Sequence, residues 1–227
     1  MVTYTQISFL KLLKTIFTEQ TSNISYDLLL LGILAVIVIV HTVCLIFTKV
    51  KKRQIKLIDE ILLICLLSYI CVLISITFLN REDGSRGNII LDLTVTKCIL
   101  KSLRLCLNGH SSLSFGKTLM VCLSANEALT SYVYYILNIL LFIPWGIILA
   151  FIHYKESLIK CFIMPIIYSI ITSGCIEIVQ LITGRGYFEL EDLITNVFGG
   201  FVGAIIGILI LLPIKYIKKN GGKYGNK

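Results

Sequence analysis

Five long apolar runs decide what this chain can fold into. They are Leu28–Phe47, Leu57–Leu79, Leu129–Phe151, Leu158–Ile182 and Leu193–Ile214. Each meets the roughly 20 residues that a helix needs to cross about 30 Å of hydrocarbon. Backbone in lipid must satisfy its own hydrogen bonds, so runs of this kind predict transmembrane helices. With 56% hydrophobic and 15% charged residues, the chain does not have the composition of a soluble globular domain. The expected fold class is all-α: a polytopic membrane helix bundle with five transmembrane helices and a long extracytoplasmic loop.

The runs divide the chain. Residues 1–27 form an N-terminal tail, 28–56 the first span and a basic loop, 57–214 the main membrane domain, and 215–227 a basic tail. In the tail, Ile7, Leu10, Leu13 and Phe17 recur at helical spacing with Lys11 and Lys14 between them. That pattern predicts a short amphipathic helix on the membrane surface, with an unstructured tail as the alternative. No cleavable signal peptide is expected, and insertion would use the first span.

Basic residues give an orientation. Lys49, Lys51, Lys52, Arg53 and Lys56 crowd the loop after the first span. Such loops stay cytoplasmic. The tail with Lys215, Lys218, Lys219, Lys223 and Lys227 falls on the same side after five spans, as does the loop with Lys155 and Lys160. The N-terminus, the connection around Arg185 and the loop over 80–128 are then outside. That loop is itself basic, through Arg81, Arg86, Lys97, Lys101, Arg104 and Lys117, but long loops translocate with less regard to charge. The net charge of +8 is accounted for in this way, and nucleic acid is not an expected partner. Within the long loop, Ile99, Leu100, Leu103 and Leu107 suit a surface-lying or re-entrant helix that Asn108-Gly109 ends with a turn.

Chemistry concentrates at the last two spans, in ITSGCIEIVQLITGRGYFELEDLITNVFGGFVGAIIG over residues 171–207. Glu177 and Gln180, three apart, share a helical face that Ser173 and Gly184 extend. Asp192 and Asn196 open the next span, and Gly199, Gly203 and Gly207 continue their stripe as a helix-packing surface. A hairpin of these two spans gathers one polar cluster near a membrane surface. An ionisable group within a span is costly, so Glu177 is the leading functional candidate; the structural alternative is a pairing with Arg185 or Asn196 that holds the hairpin. Arg185 could clamp a phosphate or carboxylate through its planar fork. Asp192 also suits the positive end of its helix. In the third span, Asn138 needs a polar partner, for which this cluster is the candidate, and Pro144 should kink the helix by removing the bond to the carbonyl of residue 140. Trp145 reads as packing. His41 reads as hydrogen-bonded structure near the cytoplasmic end of the first span.

Of the eight cysteines, Cys44, Cys65, Cys71, Cys161 and Cys175 lie in apolar runs and read as small membrane-buried side chains. Cys98, Cys106 and Cys122 lie in the long loop without metal-ligand spacing, so no metal site is expected and their disulfide state stays open. No nucleophile, phosphate-binding or cofactor motif is visible, and no cofactor is expected.

The ordered combination Glu177, Gln180, Gly184, Arg185, Asp192, Asn196, Gly199, Gly200 and Gly203 resembles the VanZ-like membrane proteins. So does Asn138-Ile-Leu-Leu-Phe142-Ile-Pro144-Trp-Gly146. The resemblance covers about residues 60–212. It departs after the second span, where the family often has an Arg and an N-L-I-P-F segment. Arg81 or Arg86 could match the Arg, but Asn88-Ile-Ile-Leu-Asp92 lacks the Pro and the Phe. The family takes its name from a low-level teicoplanin resistance protein, so the resemblance implies a bacterial cell-envelope role without supplying a reaction.

Three functions compete at this point. The first is an envelope protein whose outer cluster (Glu177, Gln180, Arg185, Asp192, Asn196, Asn138) engages a membrane lipid or lipid-linked envelope precursor and lowers susceptibility to glycopeptides. The second is an intramembrane enzyme with Glu177 or Asp192 as general base and Arg185 as anion clamp. The third is a transporter or partner subunit with Glu177 as a proton site, for which the repeat symmetry of many transporters is missing.

Overall fold

A computed structural model describes residues 2–22, 24–51, 55–79, 88–110 and 112–224. Lys52, Arg53, Arg81, Arg86 and Lys227 lie outside the described residues, as do the side chains of Ile7, Lys51, Lys215, Lys218, Lys219 and Lys223. The described chain is almost entirely helical. Its helices are α1 (Val2–Ser22), α2 (Tyr26–Lys51), α3 (Leu57–Ile74), α4 (Thr94–Leu107), α5 (Phe115–Ala125), α6 (Leu129–Ile152), α7 (Leu158–Thr183) and α8 (Leu190–Tyr224). A π-helical turn, Ser75–Leu79, extends α3. Two short strands, β1 (Ile89–Ile90) and β2 (Phe188–Glu189), pair in parallel with Ile89 opposite Phe188.

Five helical stretches are long and apolar enough to cross a membrane: Tyr26–Val50, Leu57–Phe78, Leu129–Ile152, Leu158–Thr183 and Leu190–Ile214. They coincide with the five runs read from hydropathy to within a few residues. The protein is therefore a multi-pass helical membrane protein.

α6, α7 and α8 form the centre, and glycine decides how closely they approach. A Cβ built on Gly203 would stand 2.2 Å from the carbonyl oxygen of Ile143, and one on Gly199 would stand 2.4 Å from that of Ile139. Gly207 meets Ala150 in the same way at 2.6 Å. α6 answers with Gly146, whose Cβ would lie 2.3 Å from the oxygen of Gly200. The α6–α8 seam is thus backbone against backbone, an arrangement that only small residues permit. Gly200 faces the other way: its Cβ would be 2.0 Å from Ser169 Oγ on α7. Above the seam, Phe142, Trp145 and Leu149 pack with Leu73 and Ile176. Trp145 stacks on Tyr69 with ring centroids 6.4 Å apart, in the packing role expected of it. Pro144 sits inside α6, and the Tyr69 hydroxyl donates to the nearby Leu141 carbonyl, so this stretch of backbone gains a partner from α3.

α1 is helical but is seated differently from its sequence pattern. Ile16 is buried and Phe9 meets Tyr132 of α6, while Leu10 and Phe17 of the expected apolar face are exposed. Docking on α6 uses the face one position before the repeat and leaves Leu10 exposed. α4 shows the same division: Val95, Cys98 and Ser102 are buried, and Leu100, Leu103 and Leu107 are exposed. Gly109 adopts a left-handed φ of 66° at the turn that ends it. At the opposite end of the bundle, His41 Nδ1 lies 2.7 Å from Glu60 Oε1, linking α2 to α3. Lys155 pairs there with Asp59.

Gly203→Ala and Gly146→Ala should each cost about 1–3 kcal/mol by forcing the seam apart. Gly174→Ala, whose Cβ would find its nearest neighbour at 4.0 Å, should be neutral. Thermal unfolding of the detergent-purified protein reads all three; equal melting temperatures would contradict the seam.

Candidate functional site

The α7 face that carries the polar residues is turned wholly inward. Ser169, Ser173, Glu177 and Gln180 are buried at intervals of three and four, with Ile176 buried beside them, which is one stripe of a helix. Glu177 and Gln180 are each 1% exposed. The helix ends at Gly184, whose φ of 65° is left-handed, and the chain reverses through Arg185 and Gly186 into β2.

Three long-range hydrogen bonds define the cluster. Glu177 Oε2 accepts the backbone N–H of Glu189 at 3.0 Å, tying the carboxylate to the strand that closes the hairpin. Gln180 Nε2 donates at 3.1 Å to the carbonyl of Thr77 in the π-helical turn. Asn196 Nδ2 donates at 3.0 Å to Ser173 Oγ, joining α8 to α7. Each satisfies a group that lipid could not solvate. Two acceptors have no donor among the described residues: Gln180 Oε1 and Asn196 Oδ1 are buried without a hydrogen-bond partner there. Buried polar atoms are seldom left so.

A roof covers this end of the bundle. Phe188 N–H donates to Asn88 O at 3.1 Å, so the β1–β2 pair binds the long loop to the hairpin connection. The N-terminus of α4 has no side-chain cap of its own. Glu191, from the first turn of α8, supplies one: its Oε1 accepts Thr96 N–H at 2.8 Å. A carboxylate is well placed at that positive helix end.

Of the residues singled out in the sequence, Glu177, Gln180 and Asn196 are brought together around the α7–α8 interface. Arg185 and Asp192 flank them, half-buried at the hairpin mouth and each engaged in an interaction. Asn138 is placed apart from these hydrogen bonds. It is half-buried and lines a cleft of about 240 Å³ with Phe17, Tyr69, Thr77 and Leu141. Thr77 is the common element, its carbonyl held by Gln180 and its residue lining the cleft. Sequence reasoning missed Thr77, the Glu189 amide and Glu191. Only Glu191 carried a signal, as the second acid in the first turn of α8.

Fold and site together define a multi-pass helical membrane protein built on a hairpin with a buried carboxylate at its mouth. Its relatives are specific: the VanZ/LLP1 family model matches residues 61–212, and the chain belongs to that family. It is 35% identical over 66 residues to Protein VanZ of Enterococcus faecium. That match takes in 29% of this chain and 38% of the relative's length. No solved structure matches it significantly.

Gln180→Leu removes the donor to Thr77 and should destabilise the protein by about 1–3 kcal/mol through the unpaired carbonyl. The readout is thermal unfolding in detergent, and a melting temperature equal to wild type would show that Thr77 finds another donor.

Proposed function

We propose that this protein acts in the bacterial cell envelope and lowers susceptibility to teicoplanin-type glycopeptides. It does so by engaging the polar headgroup of a membrane lipid or lipid-linked envelope precursor at the mouth of the α7–α8 hairpin. The observation that carries this reading is Glu177, a carboxylate 1% exposed in an apolar helix and hydrogen-bonded to the segment that closes the hairpin. A charge-bearing group at such depth is retained at considerable cost. The acceptors Gln180 Oε1 and Asn196 Oδ1 add hydrogen-bonding capacity that a headgroup can use. Arg185 at the mouth adds a planar donor suited to phosphate. Glycopeptides are too large to enter the hairpin, so the effect on them is indirect.

In a susceptible Gram-positive host, the wild-type protein should raise the teicoplanin inhibitory concentration more than that of vancomycin. Glu177→Gln at matched membrane level should lose the rise. No rise with the wild type, or an unchanged rise with the variant, sinks the proposal.

The same reading places the mouth outside, with the N-terminus outside and the C-terminal tail in the cytoplasm. Its support is the run of Lys49, Lys51, Lys52, Arg53 and Lys56 in the sequence between the first two spans. Thr183 is exposed beside the mouth. A membrane-impermeant thiol reagent should therefore label Thr183→Cys in intact cells, with the labelled peptide identified by mass. Labelling only after the cells are opened would invert the topology.

A further inference from the structure

Three cysteines lie between the second and third spans, and the structure separates them into a pair and a single residue. Cys98 of α4 is 3% exposed in a small core with Val95, Leu119, Leu123 and Ala128, and Cys122 of α5 packs against that core half-buried. Asn126 Nδ2 bridges the two thiols, 3.6 Å from Cys98 Sγ and 3.8 Å from Cys122 Sγ. Cys106 is directed elsewhere, toward Leu113 O and Thr118 Oγ1, each at 3.9 Å. All three are free thiols in the structure.

We propose that Cys98 and Cys122 are a dithiol pair that closes to a disulfide by exchange with a disulfide-bearing oxidant, stapling α4 to α5. Cys122 is the attacking residue, because it is the more accessible of the two. Its thiolate attacks one sulfur of the oxidant, and the other leaves as a thiolate and takes up a proton. Cys98 then gives its proton to water and attacks Cys122 Sγ in the mixed disulfide. The second oxidant sulfur leaves, so two protein thiols are oxidised and one oxidant disulfide is reduced to two thiols. Burial and the neighbouring Cys122 push the Cys98 thiol up to about 11, which keeps it from reacting first.

The staple bears on the site. α4 is the helix whose Thr96 N–H is held by Glu191, next to Asp192. Fixing α4 to α5 fixes the roof over the start of α8. The inference is independent of which lipid the site binds. It uses the outside placement of the roof only for where the oxidant is met.

The test uses the full-length protein purified in detergent and equilibrated with oxidised glutathione. Remaining thiols are alkylated, and peptides are mapped by mass without reduction. A linked Cys98–Cys122 peptide is expected, retained in Cys106→Ser and absent from Cys122→Ser. Alkylation of both residues at every glutathione ratio, or a link from Cys122 to Cys106, would overturn the proposal. Mapping protein alkylated in intact cells reads topology separately: a link formed in vitro but absent there assigns the failure to the outside placement.

Discussion

The approach of α6 to α8 is the constraint on which the rest of this structure depends. Within lipid there is no hydrophobic gain from bringing helices together, so association must come from close packing and hydrogen bonds. Gly146 on one helix and Gly199, Gly203 and Gly207 on the other bring the backbones to a separation that no side chain would allow. Gly200 does the same toward Ser169, so α8 is wedged between α6 and α7. Only at that distance can an asparagine as short as Asn196 reach Ser173, and only then is the α7 stripe sealed from lipid on both sides.

The buried polar residues follow from this seal. Asn196, Gln180 and Glu177 each reach a partner on a different element: α7, the π-helical turn after α3, and β2. Interhelical hydrogen bonds in membranes contribute about 0.6–2 kcal/mol each, too little to hold a bundle alone. Their effect is on specificity, since a slipped helix would leave amides and a carboxylate in hydrocarbon without partners. The π-helical turn fits this logic, because such a turn shifts the carbonyls of the helix and so offers Thr77 O to a neighbour.

Hydropathy and length made the five spans legible, because a span of lipid imposes one length on every helix that crosses it. The Glu177–Gln180 face was legible from helical spacing. So was the stripe of Gly199, Gly203 and Gly207, although the facing Gly146 and the opposed Gly200 were not, since one-residue offsets turn a side chain by a hundred degrees. β1 and β2 hold two residues each, too short to show a period. The 11-residue α5 sits in a loop that reads as half polar. Glu191 meets Thr96 across 95 residues of sequence, and no local pattern encodes such a contact. α1 shows the limit of periodicity itself: the repeat announced a helix, but tertiary contact with Tyr132 chose the face.

The roof and the hairpin mouth are best understood as one assembly. β1 is hydrogen-bonded to the hairpin connection, and Glu189, the residue next to that bond, gives its N–H to Glu177. Glu191, two residues on, caps α4. α4 is therefore linked, through Glu191 and the strand pair, to the amide that holds the Glu177 carboxylate. The seam below is fixed by backbone contact, whereas the segment between Gly184 and Leu190 is held by the strand pair and by Glu177. The carboxylate most costly to bury is thus held by the short segment that joins α7 to α8.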